Sequence, residues 1–365
     1  MFTSKGLYSG LSFTFLALSL VLLIAGQRYE PSDLECAQSV SSWSPAWEAV
    51  EYTWQTFQNG FSQKSIYRGV PTLELEEAWN ASLQHDPIVI PTNQLTGLHD
   101  AETQLVQPEN GNGALAYLEV FRNLGCLNLL RQHTYREEYD YSYLDAFQGT
   151  EAQIMARVDG CVQRLREVLM CLGDTTPYLI MLTPEKAQKE SPDFNTLHNC
   201  RNFDKILEWT KERESPTLHK LPNFVNEEQF KASMPQYTEE AVRLDDGRYL
   251  ATFEYTHQLH CLYNLFRASY MDSYPDEKAS YDENPQEWHG RVDHCIEILR
   301  QKLECDRDTG LVLYDWVKGR KAPTANFNVA RMCYDWEPVE KWAQSHEVND
   351  FPKKPKNVVQ LSRIP

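Results

Sequence analysis

The sequence predicts a mainly α-helical protein: two tandem copies of a small disulfide-stapled helical domain behind an N-terminal membrane anchor. Three observations carry this. One stretch near the N-terminus is long, apolar and uncharged; eight of the nine cysteines fall into two quartets of nearly equal spacing; and apolar residues recur at helical intervals around those cysteines. The expected organisation is a cytosolic stub and anchor at 1–28, an arm at 29–112, a first copy at 113–215, a second at 216–350 and a tail at 351–365.

Between Gly6 and Gln27 there is no charged residue, and Lys5 and Arg28 flank the stretch. Twenty-odd such residues as a helix span a bilayer core of about 30 Å. A short positive n-region with Ala25 and Gly26 also describes a cleaved signal peptide. Under either reading the chain after Arg28 enters the secretory lumen: a single-pass membrane protein with a lumenal C-terminal domain, or a secreted one. The sequon Asn80-Ala-Ser82 is then a candidate glycosylation site, and disulfides become chemically available. The arm holds short apolar runs such as Pro87-Ile-Val-Ile-Pro91.

Setting Cys36 aside, the intervals are 35, 10 and 29 residues through Cys126, Cys161, Cys171 and Cys200, and 34, 10 and 28 through Cys261, Cys295, Cys305 and Cys333. The neighbouring residues agree. Arg157-Val-Asp-Gly-Cys161 answers Arg291-Val-Asp-His-Cys295, and Glu119 precedes Cys126 as Glu254 precedes Cys261. The chain reads as a duplication offset by about 134 residues. Val292, Ile296, Leu299 and Leu303 form a helical stripe, matched by Val158, Val162, Leu165 and Leu169. Helices are also expected over 118–131 and 253–269. Asp174–Pro192 and Asp272–Pro285, with their prolines and polar residues, read as loops. Ten residues of helix place Cys161 and Cys171 about 15 Å apart, beyond the roughly 7 Å a disulfide tolerates. The pairing expected is 126–161 with 171–200, repeated as 261–295 with 305–333; 126–171 with 161–200 is the alternative. Cys36 is the odd thiol.

Histidine separates the copies. His257-Gln-Leu-His260-Cys261 stands against Arg122-Asn-Leu-Gly125-Cys126, and His294-Cys295 against Gly160-Cys161. The first copy keeps every cysteine and lacks every one of these histidines, so the cysteines read as structural and the histidines as chemical. His257 and His260 share a helical face; with His294 they make a candidate three-histidine metal centre. Asp159 and Asp293, like Glu119 and Glu254, occur in both copies and read as structural, and His198 as structural or exposed. Tyr249, Tyr255, Tyr263 and Tyr270 surround the first motif mainly as packing residues.

With 35 Lys+Arg against 52 Asp+Glu, the net charge of −17 excludes a general electrostatic footprint for nucleic acid. No glycine-rich nucleotide loop and no GxSxG elbow is present.

His257-Gln-Leu-His260-Cys261 followed by Val292-Asp-His294-Cys295 resembles the fungal UstYa-like oxidase family, marked by two HxxHC motifs in a type II membrane protein. Ser44-Pro-Ala46, Tyr67-Arg-Gly-Val-Pro71, Glu76-x2-Trp79 and Leu127-Asn-Leu-Leu-Arg131 extend the resemblance over most of the chain. It implies a copper-dependent oxidase of a mycotoxin or cyclic-peptide pathway, acting on a peptide or small metabolite by cyclisation, hydroxylation or halogenation. It also implies homo- or hetero-oligomers with related oxidases. Two departures matter: the family has one domain where this chain has two, and Arg291 replaces the leading histidine of the second motif. His289 is the candidate substitute ligand. The competing reading is a weakened homologue that serves as a non-enzymatic partner of an active oxidase.

Overall fold

The computed structural model describes residues 13–23, 31–41, 43–60, 63–83, 87–97, 113–174, 177–182, 190–192, 195, 197–212, 251–319, 324–326, 333, 338 and 341. Two units are distinguished, Met1–Ser41 and Ser42–Pro365. In the first, residues 13–23 are helical (α1), and Phe13, Leu16, Leu20 and Leu23 are exposed on it. Helix α2, Asp33–Ser39, is closed by a capping box between Ser32 and Glu35 and carries the free thiol Cys36. Among the described residues no helix is long and apolar enough to cross a membrane; the rest of the expected anchor, 6–12 and 24–27, lies outside them. The 351–365 tail also lies outside them.

The second unit is mainly helical and is crosslinked by disulfides. Four helices form its centre: α4 Glu119–Thr134, α5 Glu151–Leu172, α7 Glu254–Ser269 and α9 Pro285–Asp306, with α3 Leu73–Leu83, α6 Phe203–Glu212 and α8 Pro275–Glu283 around them. The stripe residues turn inward as their period requires: Val158, Leu165 and Leu169 on α5 and Val292, Ile296, Leu299 and Leu303 on α9 are all buried, against Leu124, Leu127 and Leu130 of α4 and Leu262 and Leu265 of α7. Each such side chain contributes about 1.5–3 kcal/mol by leaving water. Val162 is half-buried. Helix α5 starts on a Thr150–Gln153 capping box and ends on Gly173 at φ 47; α9 starts on Asn284 with Pro285 in its first turn and ends on Arg307 at φ 39. Left-handed closure suits glycine and strains arginine.

The short strands tie distant segments together. β1 Tyr52–Thr56 pairs with β6 Leu197–Arg201. β2 Ile88–Ile90, β3 Ala114–Leu118, β8 Leu311–Asp315 and β9 Thr324–Asn326 make one antiparallel sheet, and β5 Glu190–Pro192, β4 Pro177–Leu182 and β7 Ala251–Phe253 another. Strands β4 and β5 lie inside a stretch expected to be a loop, and helix α8 inside the other. The prolines begin elements here instead of breaking them: Pro177 opens a strand, and Pro275 sits in the first helical turn, where its missing N–H costs nothing.

The bridges correct the expected pairing. Cys126–Cys161 is present. Cys171, however, joins Cys333, and Cys200 joins Cys305, so two bridges run from one quartet to the other. The reason is strand exchange. The chain leaving α5 pairs with β7, the chain leaving α9 pairs with β3, and β6 then returns beside α9. Cys261 and Cys295, expected to be bridged, are buried free thiols whose side chains hydrogen-bond each other.

The arm is fastened by the residues that carried the resemblance. Glu76 on α3 accepts from Arg131 Nη2 on α4 through both carboxylate oxygens at 2.8 Å, and Trp79 Nε1 donates to the Tyr67 carbonyl at 3.0 Å. Asn80 is exposed on α3, while the hydroxyl of Ser82 turns inward to the Ala78 carbonyl.

Candidate metal-binding histidine site

Helices α7 and α9 pack side by side and bring the two histidine landmarks together. His257 and His294 are buried, with ring centroids 5.6 Å apart. His260, one turn further along α7, is exposed at the rim, 6.4 Å from His257, and Asn264 donates to its Nε2 at 3.0 Å. Beneath them lie the paired thiols: Cys261 Sγ is 3.7 Å from His257 Nε2, and Asn264 donates to Cys295 Sγ at 3.8 Å. The arm closes the other side. The His294 ring donates to the Asn59 backbone carbonyl, and Arg68 donates to the Gly290 carbonyl at 3.3 Å.

Burial pushes the imidazoles of His257 and His294 down to about 3, helped by His260 in the first case and by His257 and Arg68 in the second. Both are therefore neutral, the form a metal ligand requires. An unfolded chain takes up protons at these groups near 6.5, and the folded one resists until about 3, so stability drains away across that interval as the pH falls. His133 and His198, pressed down to about 4 mainly by burial, act in the same sense. By pH 3 the depression at each of His257 and His294 has removed on the order of 5 kcal/mol of stability. The expected result is a melting temperature that drops steadily between pH 6.5 and 4. A melting temperature that stays flat over that range would contradict the assignment of these histidines as buried and neutral.

His289 does not join the cluster's described contacts. It stacks on Tyr135 at 4.0 Å, and its Nε2 lies 3.0 Å from Glu138 Oε1, which Tyr281 also approaches. Arg291 is exposed on α9 and donates to Ser280. Among the described residues no three His, Cys, Asp or Glu side chains converge as a metal site. The donors fit a copper ion by type, as buried neutral imidazoles facing each other, with His260 the third histidine on the rim. At Gly125 and Gly160, which the sequence aligns with His260 and His294, an added Cβ would meet nothing within 4 Å.

Of the surrounding residues, Tyr255 is buried, Tyr263 is exposed and Tyr270 donates to Asp159 at 2.5 Å; Tyr249 lies outside the described residues. Asp293, adjacent to His294, accepts from Tyr135 at 2.8 Å, and burial lifts its carboxyl to about 6. Glu119 is fully buried and pairs with Arg164. His198 is buried and structural, stacked on Phe57 beside the Asp174–Lys302 ion pair. Sequence reasoning missed Asn264, although its place one turn beyond His260 on the same face signalled it. It also missed Asn59 and Arg68, which reach the site only through the fold.

The family model described as mycotoxin biosynthesis protein UstYa matches residues 4–213 and 219–346. The chain belongs to the UstYa family. Among curated relatives, the UstYa family oxidase phomYc of Diaporthe leptostromiformis is 37% identical over 199 residues, covering 53% of this UstYa-family chain and 77% of the relative. The transacylase cctO of Talaromyces islandicus is 33% identical over 187 residues, 49% of this chain and 62% of that protein. The oxidase ustYa of Aspergillus flavus is 29% identical over 105 residues, 28% of this chain and 44% of that protein. No solved structure matches the chain.

Proposed function

We propose that this UstYa-family chain is an oxidase of a fungal secondary-metabolite pathway, acting on a peptide or mycotoxin precursor by oxidative ring closure or hydroxylation. The observation that carries the reading is the pair of buried, neutral imidazoles of His257 and His294, facing each other at 5.6 Å with His260 at the rim. Relatives named as oxidases support the reaction class. Copper held by His257, His294 and His260 would supply the electron-transfer chemistry that these side chains lack. The chain's own part is to keep two imidazoles unprotonated and dry, to orient His294 through the Asn59 carbonyl and His260 through Asn264, and to leave His260 facing solvent on the side open to substrate. In this reading residues 6–27 anchor the protein to a secretory-pathway membrane and Asn80, exposed on α3, carries glycan.

A weakened, non-enzymatic partner is the second reading, favoured by Arg291 standing exposed where the motif has histidine. His294→Ala and His260→Ala separate the two. Metal analysis of the purified chain should find about one copper, lost in His294→Ala and weakened in His260→Ala, with helical content unchanged. The pH at which copper is released should lie well below 6.5, because burial has already suppressed proton competition. Product that vanishes in the variants supports the oxidase; product that persists while an active relative is present supports the partner. A chain that binds no copper yet gives full product, with no relative in the assay, would sink both.

A further inference from the structure

The contacts between the two copies come in matched pairs. Leu118 pairs with Leu311 and Tyr117 with Val312, and one period away Phe253 pairs with Pro177 and Thr252 with Tyr178, in the same register. Val120 N donates to the Asp308 carbonyl at 2.9 Å, and Tyr255 N to the Asp174 carbonyl at 3.1 Å. Tyr135 donates to Asp293, and Tyr270 to Asp159. Cys171 joins Cys333, and Cys305 joins Cys200. Helix α4 packs on α9 as α5 packs on α7. In every case a residue of the first copy meets a residue of the second, and the reciprocal contact exists. Residue i of one copy meeting residue j of the other, and j meeting i, is the signature of a two-fold interface between identical subunits.

We infer that this chain is a dimer written into one polypeptide: two copies with exchanged strands, of which the first, lacking the motif histidines, is the obligate partner subunit of the second. The surface a single copy would offer to another chain is already occupied internally. The first copy then owes its retention to its contacts. It supplies β4 to pair with β7, Asp174 to cap α7, and Tyr135 to hold the Asp293 beside His294. The protein accordingly works as one chain per particle, and neither half is a domain that stands alone. This holds whether or not the histidines bind a metal.

The test uses the full chain with a protease site inserted between Glu212 and Ala251, purified in detergent and cleaved. On a denaturing gel without reductant the halves should run together, joined by the two crossing bridges, and should separate when reductant is added. In native buffer with mild reductant they should still co-elute, and the uncleaved chain should measure one copy per particle. Halves that separate on the non-reducing gel would overturn the crossed connectivity. Halves that part in native buffer and each remain folded, resisting further proteolysis, would overturn the fused dimer, as would a stable homodimer of the uncleaved chain.

Discussion

Glu76→Ala should cost about 3–5 kcal/mol, a large share of the roughly 5–15 kcal/mol that holds a protein folded. Arg131 is 1% exposed, and Glu76 takes its Nη2 on both carboxylate oxygens. Tyr141 and Gln132 donate to the same carboxylate, at 2.8 and 3.3 Å. Alanine removes the acceptor for all three and leaves a buried guanidinium against Trp79 with no counter-charge, the Asn128 side-chain carbonyl oxygen still accepting from its Nε. The sign reverses when both partners go: Glu76→Leu with Arg131→Met should destabilise less than Glu76→Ala alone, because no charge is left behind. Urea midpoints of Glu76→Leu, Arg131→Met and the double close the cycle. A Glu76→Ala variant within about 1 kcal/mol of the parent would show that the pair does not hold the arm to α4.

Removing Cys200–Cys305 by Cys200→Ser with Cys305→Ser should cost about 4–5 kcal/mol, since the bridge closes a span of 105 residues. The effect acts largely on the unfolded chain, which regains the freedom of that loop. The folded state should therefore keep its helical signal at 25 °C while its denaturant midpoint falls. The same change at Cys126–Cys161, which spans 35 residues, should cost less by chain entropy, about 3–4 kcal/mol. If the shorter bridge proves the more stabilising, native-state packing outweighs the loop term.

Helix positions and the histidine neighbourhood were legible because both are local. Stripes at i, i+4 and i+7 put Val292 through Leu303 inside, and a three-residue spacing put His257 and His260 on adjacent turns of α7. What was not legible depends on the partner a segment chooses. Cys171 has 29 residues to Cys200 and 162 to Cys333; chain entropy alone favours the short loop, and only strand exchange selects the long one. Tyr178–Leu182 is apolar enough for a strand, but Pro177, Pro184 and the polar residues around it read as a loop until β7 pairs with it. His289 looked available because its partners, Tyr135 and Glu138, lie some 150 residues away.

The exchanged strands also set a timetable for synthesis. A ribosome delivers Cys171 and Cys200 before β7 or Cys333 exists. In that interval the β4 edge that will meet β7 is unpaired, and Cys171 has Cys200 within reach, 29 residues away, which is the pairing the finished protein avoids. Production of this chain therefore turns on how fast a wrong bridge is made and undone. A thiol–disulfide isomerase acting after the second copy has emerged would govern yield more than the strength of any contact in the finished fold.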